Sequence, residues 1–459
     1  TDTDTDTDTD TDTDTDTDTD TDTDTDADTL PAGYAFTSRD GDGDSVAYSG
    51  QAFRHVLIAD LKSYLGDLTD DLNGGRFPDS GDIVGELEFY FEFDSSTSGG
   101  IDHGVTTSPA TLQTTYDDIS TDKDLVGKLA GNDTSTDHKD WSTAFAGWPG
   151  ATSPEALVRS WFSEIDAAAV LWASGTYPQT PSGTPVGSVF VTAQGQDYQQ
   201  LIDKLLRVGI AFSQTADDYL DDDVDGKGLL ADHTALADGK PYTALEHAWD
   251  EGYGYFGGAR NYGAWTTDER VSTTVDTDGD GSIDLLTEKT WHTANNAGKR
   301  DKGSATGTSY GDQAYDAFYD GRELLANTTG ALSDAELETL RGYRDDALGA
   351  WEAILAATVI HYINETIADQ DAIGTGGYSF DAHAKHWSEA KGFAFGFQFN
   401  PHSAMTDAQF TALHDALGTA PAIESDGTTA LNDYKIGLLE ARGVLQSVYG
   451  FNTSDVEAW

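Results

Sequence analysis

Helical periodicity runs through most of the chain after about residue 30. Apolar residues recur three and four positions apart, the spacing that places them on one face of an α-helix. The segments with this pattern are 51–68, 153–172, 197–220, 245–262, 314–327, 333–367 and 431–450. Together they predict a protein built from helices.

Signals at the ends of these segments support the same prediction. Ser153 stands before Pro154, and this pair is typical of a helix start. Ser333 is followed by Glu336, which is the spacing of a capping box. Thr406 and Gln409 repeat that spacing and predict the start of another helix.

Strand-like alternation is rare, with LEFYFEF at 87–93 and SVFVT at 188–192 as the best cases. The loops are long and rich in Gly, Asp and Thr, above all at 94–115 and 264–309. We therefore predict an all-α fold, made of one helical bundle or two packed bundles, with long loops and minor β decorations.

The first 26 residues are thirteen consecutive Thr-Asp dipeptides. Such a segment has nothing to bury, and its like charges keep it extended. We predict a disordered tether over residues 1–29 and a helical domain over 30–459. No run of about 20 apolar residues is present, so we expect no transmembrane segment. A polar tether is typical of a protein anchored at the cell surface.

The charge balance is strongly acidic, with 82 Asp and Glu against 25 Lys and Arg and a net charge of −57. The excess is spread along the whole chain, which favours the solvated surface of a halophilic protein over a binding feature. Repulsion at this charge density opposes compaction until salt screens it. A nucleic acid is disfavoured as a partner because its phosphates would be repelled. Cysteine is absent, which excludes disulfides and thiolate metal sites.

Three His–acid pairs lie on predicted helices at spacings of three or four. They are His247 with Glu251, His361 with Glu365, and His386 with Glu389. Each pair shares one helix face, and helical bundles build metal sites from such residues on facing helices. Nitrogen and oxygen ligands suit iron or zinc, so these six residues are candidate transition-metal ligands. The alternative is that each His is hydrogen-bonded within the core.

The stretch DTDGDGSIDLLTE at 276–288 follows the pattern of an EF-hand loop. It predicts a calcium site inside an insertion around 264–309. The candidate ligands are Asp276, Asp278, Asp280, Ser282 through its carbonyl, Asp284 and Glu288. The last acid stands one position late, because Thr287 occupies position 12. Weaker versions of the pattern occur at 40–44 and 221–226.

Basic residues are scarce, so the positions of the remaining ones are informative. Arg260 and Arg322 lie in predicted helical segments, whereas Lys299 and Arg300 lie in the long loop predicted at 264–309. An Arg retained in such an acidic chain usually has a buried carboxylate partner. Binding of an anion is the alternative.

Nine segments, taken in order, resemble an uncharacterised family of secreted, lipoprotein-like bacterial proteins with a domain of unknown function, grouped with imelysin-like proteins. They run from about residue 47 to 401 and read VAYSGQAFRHVLIADLKSYL, SPEALVRSWF, GQDYQQLIDKLL, LEHAWDEGYGYFG, DTDGDGSIDLLTE, AGKRD, DGREL, ATVIHYIN and HWSEAKGFAFGFQFNP. The resemblance implies imelysin-like helical bundles, secretion or surface anchoring, and a link to iron or haem acquisition.

The resemblance also implies a metal site at a GxHxxE motif. LEHAWDE places His247 and Asp250 at the spacing of the motif, and HWSE does the same with His386 and Glu389. The chain departs from the motif at Leu245 and Ala384, which stand where the family has Gly.

Our first hypothesis is a non-enzymatic, surface-tethered metal-binding protein of a halophile that serves iron or other metal acquisition, with calcium as a structural ion. A metal-dependent hydrolase or peptidase that uses the same His and Glu residues is the second. The third is a structural subunit of a cell-surface layer or filament, which would contact other surface proteins or its own copies. The zinc-protease signature HExxH is absent, as are GxSxG and a P-loop.

Overall fold

A computed structural model describes residues 33–41 and 43–459. It is 57% helical, with fifteen α-helices and neither a sheet nor a barrel among the described residues. The predicted all-α fold is confirmed. The predicted tether at residues 1–29 lies outside the described residues.

The α-helices are numbered in chain order. They are α1 (Ser49–Asn73), α2 (Asp82–Phe91), α3 (Ser95–Ser98), α4 (Trp141–Ala144), α5 (Pro154–Ala173), α6 (Tyr198–Leu206), α7 (Ala244–Phe256), α8 (Thr267–Ser272), α9 (His292–Gly303), α10 (Tyr310–Asn327), α11 (Asp334–Ala372), α12 (Phe380–Ala394), α13 (Asp407–Leu417), α14 (Gly427–Tyr449) and α15 (Thr453–Ala458).

The predicted helix starts are confirmed by their capping contacts. The side chain of Ser153 accepts a hydrogen bond from the backbone N–H of Ala156 at the start of α5. Both predicted capping boxes form, at Ser333 before α11 and at Thr406 before α13. Local sequence is sufficient here because the cap satisfies backbone groups within the same turn.

The longest helix, α11, lies at the centre of the fold. Its 39 residues extend about 58 Å, and it packs against α9, α10, α12, α14 and α15. Four fully buried tryptophans mark the core, at Trp161, Trp249, Trp351 and Trp387. On the other side, α6 packs between α1 and α12.

The strand predicted at 87–93 is wrong, because most of that segment lies in α2. Ile83, Leu87 and Phe91 are buried at a spacing of four, and they turn one helix face toward α5. The second predicted strand, 188–192, contributes one antiparallel bridge between Val191 and Asp197. Within the described residues, the predicted β decorations are therefore isolated bridges.

The helix predicted over 197–220 changes its winding along its length. After Leu206 it continues as π-helical turns at Arg207–Phe212 and Thr215–Tyr219. Wide turns of this kind inside helices often lie at functional sites.

The aromatic stretch at 385–401 belongs to the core. Helix α12 ends at Ala394 and a 3₁₀ turn follows at Phe395–Gln398. The phenylalanines of this stretch are buried. A Cβ at Gly392 would lie 2.6 Å from the Cβ of Lys204, so this glycine permits the close approach of α12 to α6.

Among the helices of the described chain, none combines the length and the apolar character needed to span a bilayer.

Candidate functional site

The predicted calcium loop brings three of its carboxylates together. Oxygen atoms of Asp276, Asp278 and Glu288 all lie within 4.8 Å of one another. Glu288 takes part although it stands one position later than the EF-hand pattern requires. The loop closes because the backbone N–H of Val275 donates to the carbonyl of Glu288 at 3.2 Å. The two ends of the loop are thus side by side.

Backbone contacts hold this loop in shape. Gly279 and Gly281 have φ angles of 78° and 88°, which favour glycine and allow the chain to turn around the carboxylates. Ile283 is fully buried, and it exchanges backbone hydrogen bonds of 2.8 Å with the segment at 110–112. The loop is therefore fixed to the helical body at its middle as well as at its ends.

The carboxylates of the loop repel one another. The backbone N–H of Asp280 lowers the pKa of Asp278, but partial burial and the charges of Glu288, Asp280 and Asp276 outweigh it and raise that pKa. A cation between these groups would remove the repulsion. Two other predicted ligands have different contacts: Asp280 accepts from Ser282 N–H at 2.6 Å, and Asp284 accepts from Gln113 at 2.8 Å.

In both weaker acidic patterns, a carboxylate forms an ion pair with arginine. In the 40–44 segment, Asp44 forms an ion pair with Arg260 at 2.8 Å. In the 221–226 segment, Asp222 pairs with Arg341 and Arg344. Asp221, Asp222 and His402 are close enough to share an ion. The guanidinium groups of Arg341 and Arg344 already neutralise the carboxylate of Asp222, which disfavours a cation at this position.

The first predicted His–acid pair lies on α7, where each member has a contact of its own. The Nδ1 of His247 donates to the carbonyl of Ala47 at 3.1 Å, and its Nε2 lies 3.8 Å from Glu251. Glu251 accepts a hydrogen bond from Gln51 at 2.9 Å. This pair therefore links α7 to α1 and to the segment before it.

The other two pairs come together across α11 and α12. His386 Nδ1 lies 2.7 Å from Asp369 and 3.9 Å from Glu365. Burial lowers the pKa of His386, but the contact with Asp369 outweighs it and the pKa is raised. His361 donates to the carbonyl of Trp459 at 3.1 Å. Burial, with the charge of Arg300 acting in the same sense, lowers the pKa of His361 to about 4.

The six predicted transition-metal ligands do not gather around one point among the described residues. The groups of three or more acidic or His residues with close ligand atoms are the two already described, at Asp276 and at Asp221. Asp369, which the sequence did not single out, is the nearest acidic partner of His386.

Glu389 lies in a buried ionic cluster that joins α1, α6 and α12. Its Oε1 is 3.3 Å from the Nζ of Lys204. At the centre of the cluster, the fully buried Asp203 contacts Lys204 at 2.6 Å, Lys62 at 2.9 Å and Arg207 at 2.8 Å. One carboxylate thus binds three cations that come from α1, from α6 and from the π-helical turn after it.

The charges of this cluster set the ionisation of its members. Burial raises the pKa of Asp203, but Arg207, Lys204 and Lys62 outweigh it and hold the pKa well below its usual range. Burial lowers the pKa of Lys204 to about 7, although the charge of Asp203 opposes this. A third buried carboxylate, Asp197, lies beside the cluster, because the charges of Glu389, Lys62 and Lys204 act on it. Burial raises the pKa of Asp197 to about 7.

Two buried histidines extend this region toward α9. His55 Nε2 lies 3.0 Å from the carbonyl of Gly254, which can only accept, so this nitrogen carries the proton. His55 Nδ1 therefore accepts from His292 Nδ1, 3.0 Å away. The Nε2 of His292 is then an acceptor, and it has no partner among the described residues although it is buried. Burial lowers the pKa of His55 to about 3, which favours this neutral arrangement.

His292 also has an unusual backbone conformation, with a φ of 22° at the first position of α9. Positive φ is uncommon for residues other than glycine, and such strain is concentrated at functional sites. The backbone of His292 is thus a second unusual feature at the start of α9, beside the unpartnered Nε2 of the same residue.

The retained arginines divide into two groups. Arg322 is fully buried and contacts Asp250 at 2.9 Å and Glu246 at 3.2 Å. It confirms the expectation of a buried carboxylate partner, whereas Asp44, the partner of Arg260, is only half-buried. Arg300 is different: its Nε is buried and has no hydrogen-bond partner in the described part of the chain.

A family model with the description "Domain of unknown function (DUF4856)" matches residues 135–416, more than half of the 459 residues. The chain belongs to the DUF4856 family. Comparisons with curated proteins and with solved structures return no match. The DUF4856 match confirms the predicted membership of a family of unknown function.

The DUF4856 region contains the acidic loop at 276–288, α9, α11 and α12, whereas α1 with His55 and Lys62 precedes it. Sequence reasoning singled out this loop and Glu389, and also Lys299 and Arg300 in the motif AGKRD. It missed Asp203, Lys204 and His292. The available signal was weak, because a single Asp-Lys pair or a single His has no distinctive spacing.

Proposed function

We propose that this DUF4856 protein is an extracellular calcium-binding protein of a halophile, with the ion held between Asp276, Asp278 and Glu288. The observation that supports the proposal is the convergence of these carboxylates within 4.8 Å in a loop whose sequence follows the EF-hand pattern. Glycine turns and backbone contacts prepare the loop for a cation, because they hold like charges together.

The ion would have a structural role in this proposal. Glu288 is buried, and its carboxylate also accepts hydrogen bonds from the backbone N–H groups of Thr277 and Asp284. Calcium bound there would connect the exposed tip of the loop, at Asp278, to the buried base. It would also stabilise the attachment of Ile283 to the segment at 110–112.

The test measures unfolding in molar NaCl with calcium and with a chelator. We expect calcium to stabilise the protein by about 2.7 kcal/mol at a hundredfold excess over its Kd. Asp278→Asn removes an exposed ligand without disturbing the buried base, and it should weaken calcium binding. Asp238→Asn, which makes the same charge change in another exposed loop, is the matched control. An unchanged response to calcium in Asp278→Asn would contradict the proposal.

The proposal also includes two more specific points, namely that the protein serves metal acquisition and that its helical bundle is imelysin-like. The nearest observation in their support is His386 beside Asp369 and Glu365, three groups on facing helices at the protein surface. Metal analysis of the purified protein, before and after loading with iron or zinc, tests this part separately. Retention of one equivalent of metal, lost in His386→Ala, is the expected result.

A further inference from the structure

We propose that the inner face of α9 binds a small organic anion, a carboxylate that also carries a hydroxyl or amino group. The ligand would lie between α9 and the ionic cluster around Asp203. This site is separate from the calcium loop, and its function does not depend on calcium.

The first argument is the distribution of charge. In a chain of net charge −57, five cations collect in this region, and the buried carboxylates among them are three, Asp203, Glu389 and Asp197. The five cations are Lys62, Lys204, Arg207, Lys299 and Arg300. Asp203 already contacts three of them. An uncompensated cationic centre is costly in a protein interior, so it is a feature that an anionic ligand would stabilise.

The second argument is the state of Lys299 and Arg300. Within the described residues, neither side chain forms an ion pair with a carboxylate, although acids outnumber bases about threefold in the whole chain. Arg300 is only 9% exposed, and its Nε donor has no partner. A guanidinium group of this kind is suited to a carboxylate, which it can bind through two parallel hydrogen bonds.

Helix geometry places these groups together. His292, Asn296 and Arg300 follow one another at a spacing of four, so they share one face of α9. Lys299 lies next to Arg300, at the solvent-exposed edge of this face. Arg207 faces them from the π-helical turn, since its charge and that of Arg300 help to lower the pKa of Lys299, after the larger effect of desolvation. Lys299 is exposed, which gives a ligand access from solvent.

The chemistry of the remaining free atoms selects the class of anion. Two buried acceptors of this region have no donor at hydrogen-bond distance in the described chain, His292 Nε2 and Glu389 Oε2, although the hydroxyl of Tyr362 lies near enough to Glu389 to help lower its pKa. His292 is 8% exposed and Glu389 is 5% exposed, so bulk water does not satisfy them fully. A bare oxyanion offers them nothing, whereas a hydroxyl or amino group on the same ligand can donate to either. A metal cation is disfavoured because the five basic residues outnumber the buried carboxylates of this region.

The test is calorimetric titration of the full chain in molar NaCl with three probes, malate, succinate and sulfate. Malate differs from succinate by one hydroxyl group and therefore isolates the role of the free acceptors. We expect saturable malate binding, with succinate weaker by at least about tenfold. Chloride is the bulk anion in this buffer, so any binding that is measured is selective over chloride.

Variants on α9 assign the binding to this face. Arg300→Gln and Lys299→Gln should each weaken malate binding by about tenfold or more. Lys302→Gln makes the same charge change on the same helix, at an exposed residue paired with Asp268, and should change the affinity less than about twofold. Lys299→Gln alters an exposed side chain, so it tests the site even if Arg300→Gln impairs folding.

Three results would overturn the proposal. The first is the absence of saturable binding by all three probes. The second is equal weakening by Lys302→Gln and by the two site variants. The third is binding of sulfate or succinate as tight as that of malate, because a donor group on the ligand would then have no role.

Discussion

Several buried charges in this protein have specific partners, and Arg322 is the clearest case. Its guanidinium group donates to Asp250, to Glu246 and to the hydroxyl of Ser45 at 2.7 Å. Tyr34 adds a hydrogen bond of 3.0 Å to Asp250. The group joins the segment before α1 to α7 and α10.

We expect Arg322→Met to lower the free energy of unfolding by about 3–5 kcal/mol, because it leaves Asp250 buried without an ion-pair partner and Glu246 with Arg39 alone. Urea denaturation in molar salt measures the change. The control is Lys435→Met, which removes an exposed ion pair with Asp371 and should cost less than about 1 kcal/mol. Similar losses of stability in the two variants would show that the buried Arg322 contributes no more than an exposed ion pair does.

Helix packing depends on glycine at a few contacts. Gly321 on α10 faces the indole of Trp249 on α7, and a Cβ at that position would overlap the ring. The same indole donates from Nε1 to the carbonyl of Phe318 at 2.8 Å, which fixes its orientation. Gly349, on the exposed side of α11, has no neighbouring atom within 4 Å of a built Cβ.

Alanine substitutions at these two glycines should have opposite effects on stability. Gly321→Ala should destabilise the protein by about 1–3 kcal/mol, since α7 and α10 must move apart. Gly349→Ala should stabilise it by up to about 1 kcal/mol, because alanine loses less backbone entropy in a helix. Thermal unfolding of both variants measures the effect. A stable Gly321→Ala protein would mean that the helices can separate without loss of packing.

The whole molecule has a tightly packed interior inside a strongly acidic envelope. At a net charge of −57, repulsion among the carboxylates destabilises the folded protein as a whole. The buried core and the internal ion pairs are screened much less by salt than the exposed carboxylates are. Salt should therefore stabilise the folded state mainly through its surface.

We expect the melting temperature to rise steeply with NaCl, as the Debye length falls from about 10 Å at 0.1 M to about 3 Å at 1 M. Thermal unfolding across that range, with calcium held constant, measures the effect. A neutral osmolyte at the same osmolality controls for exclusion of solutes from the surface. A melting temperature that responds equally to the osmolyte and to NaCl would contradict a halophilic adaptation based on charge.

The sequence by itself determined the features that depend on near neighbours. The all-α class, the caps at Ser153, Ser333 and Thr406, and the shape of the 276–288 loop follow from contacts within a few residues. It failed at 87–93, where the three-to-four spacing of buried residues outweighed strand propensity.

Only the tertiary structure decided which charges meet. Lys62 and Asp203 are 141 positions apart, and no local pattern connects them. The His–acid pairs are regular in sequence, yet His247, His361 and His386 bind Ala47, Trp459 and Asp369. The partner of a buried charge depends on how helices cross, because burial is tolerated wherever a partner of opposite charge is within reach. The lack of a carboxylate partner for Lys299 and Arg300 within the described residues is recognised for the same reason, since a missing partner can be identified only when all the neighbours are in place.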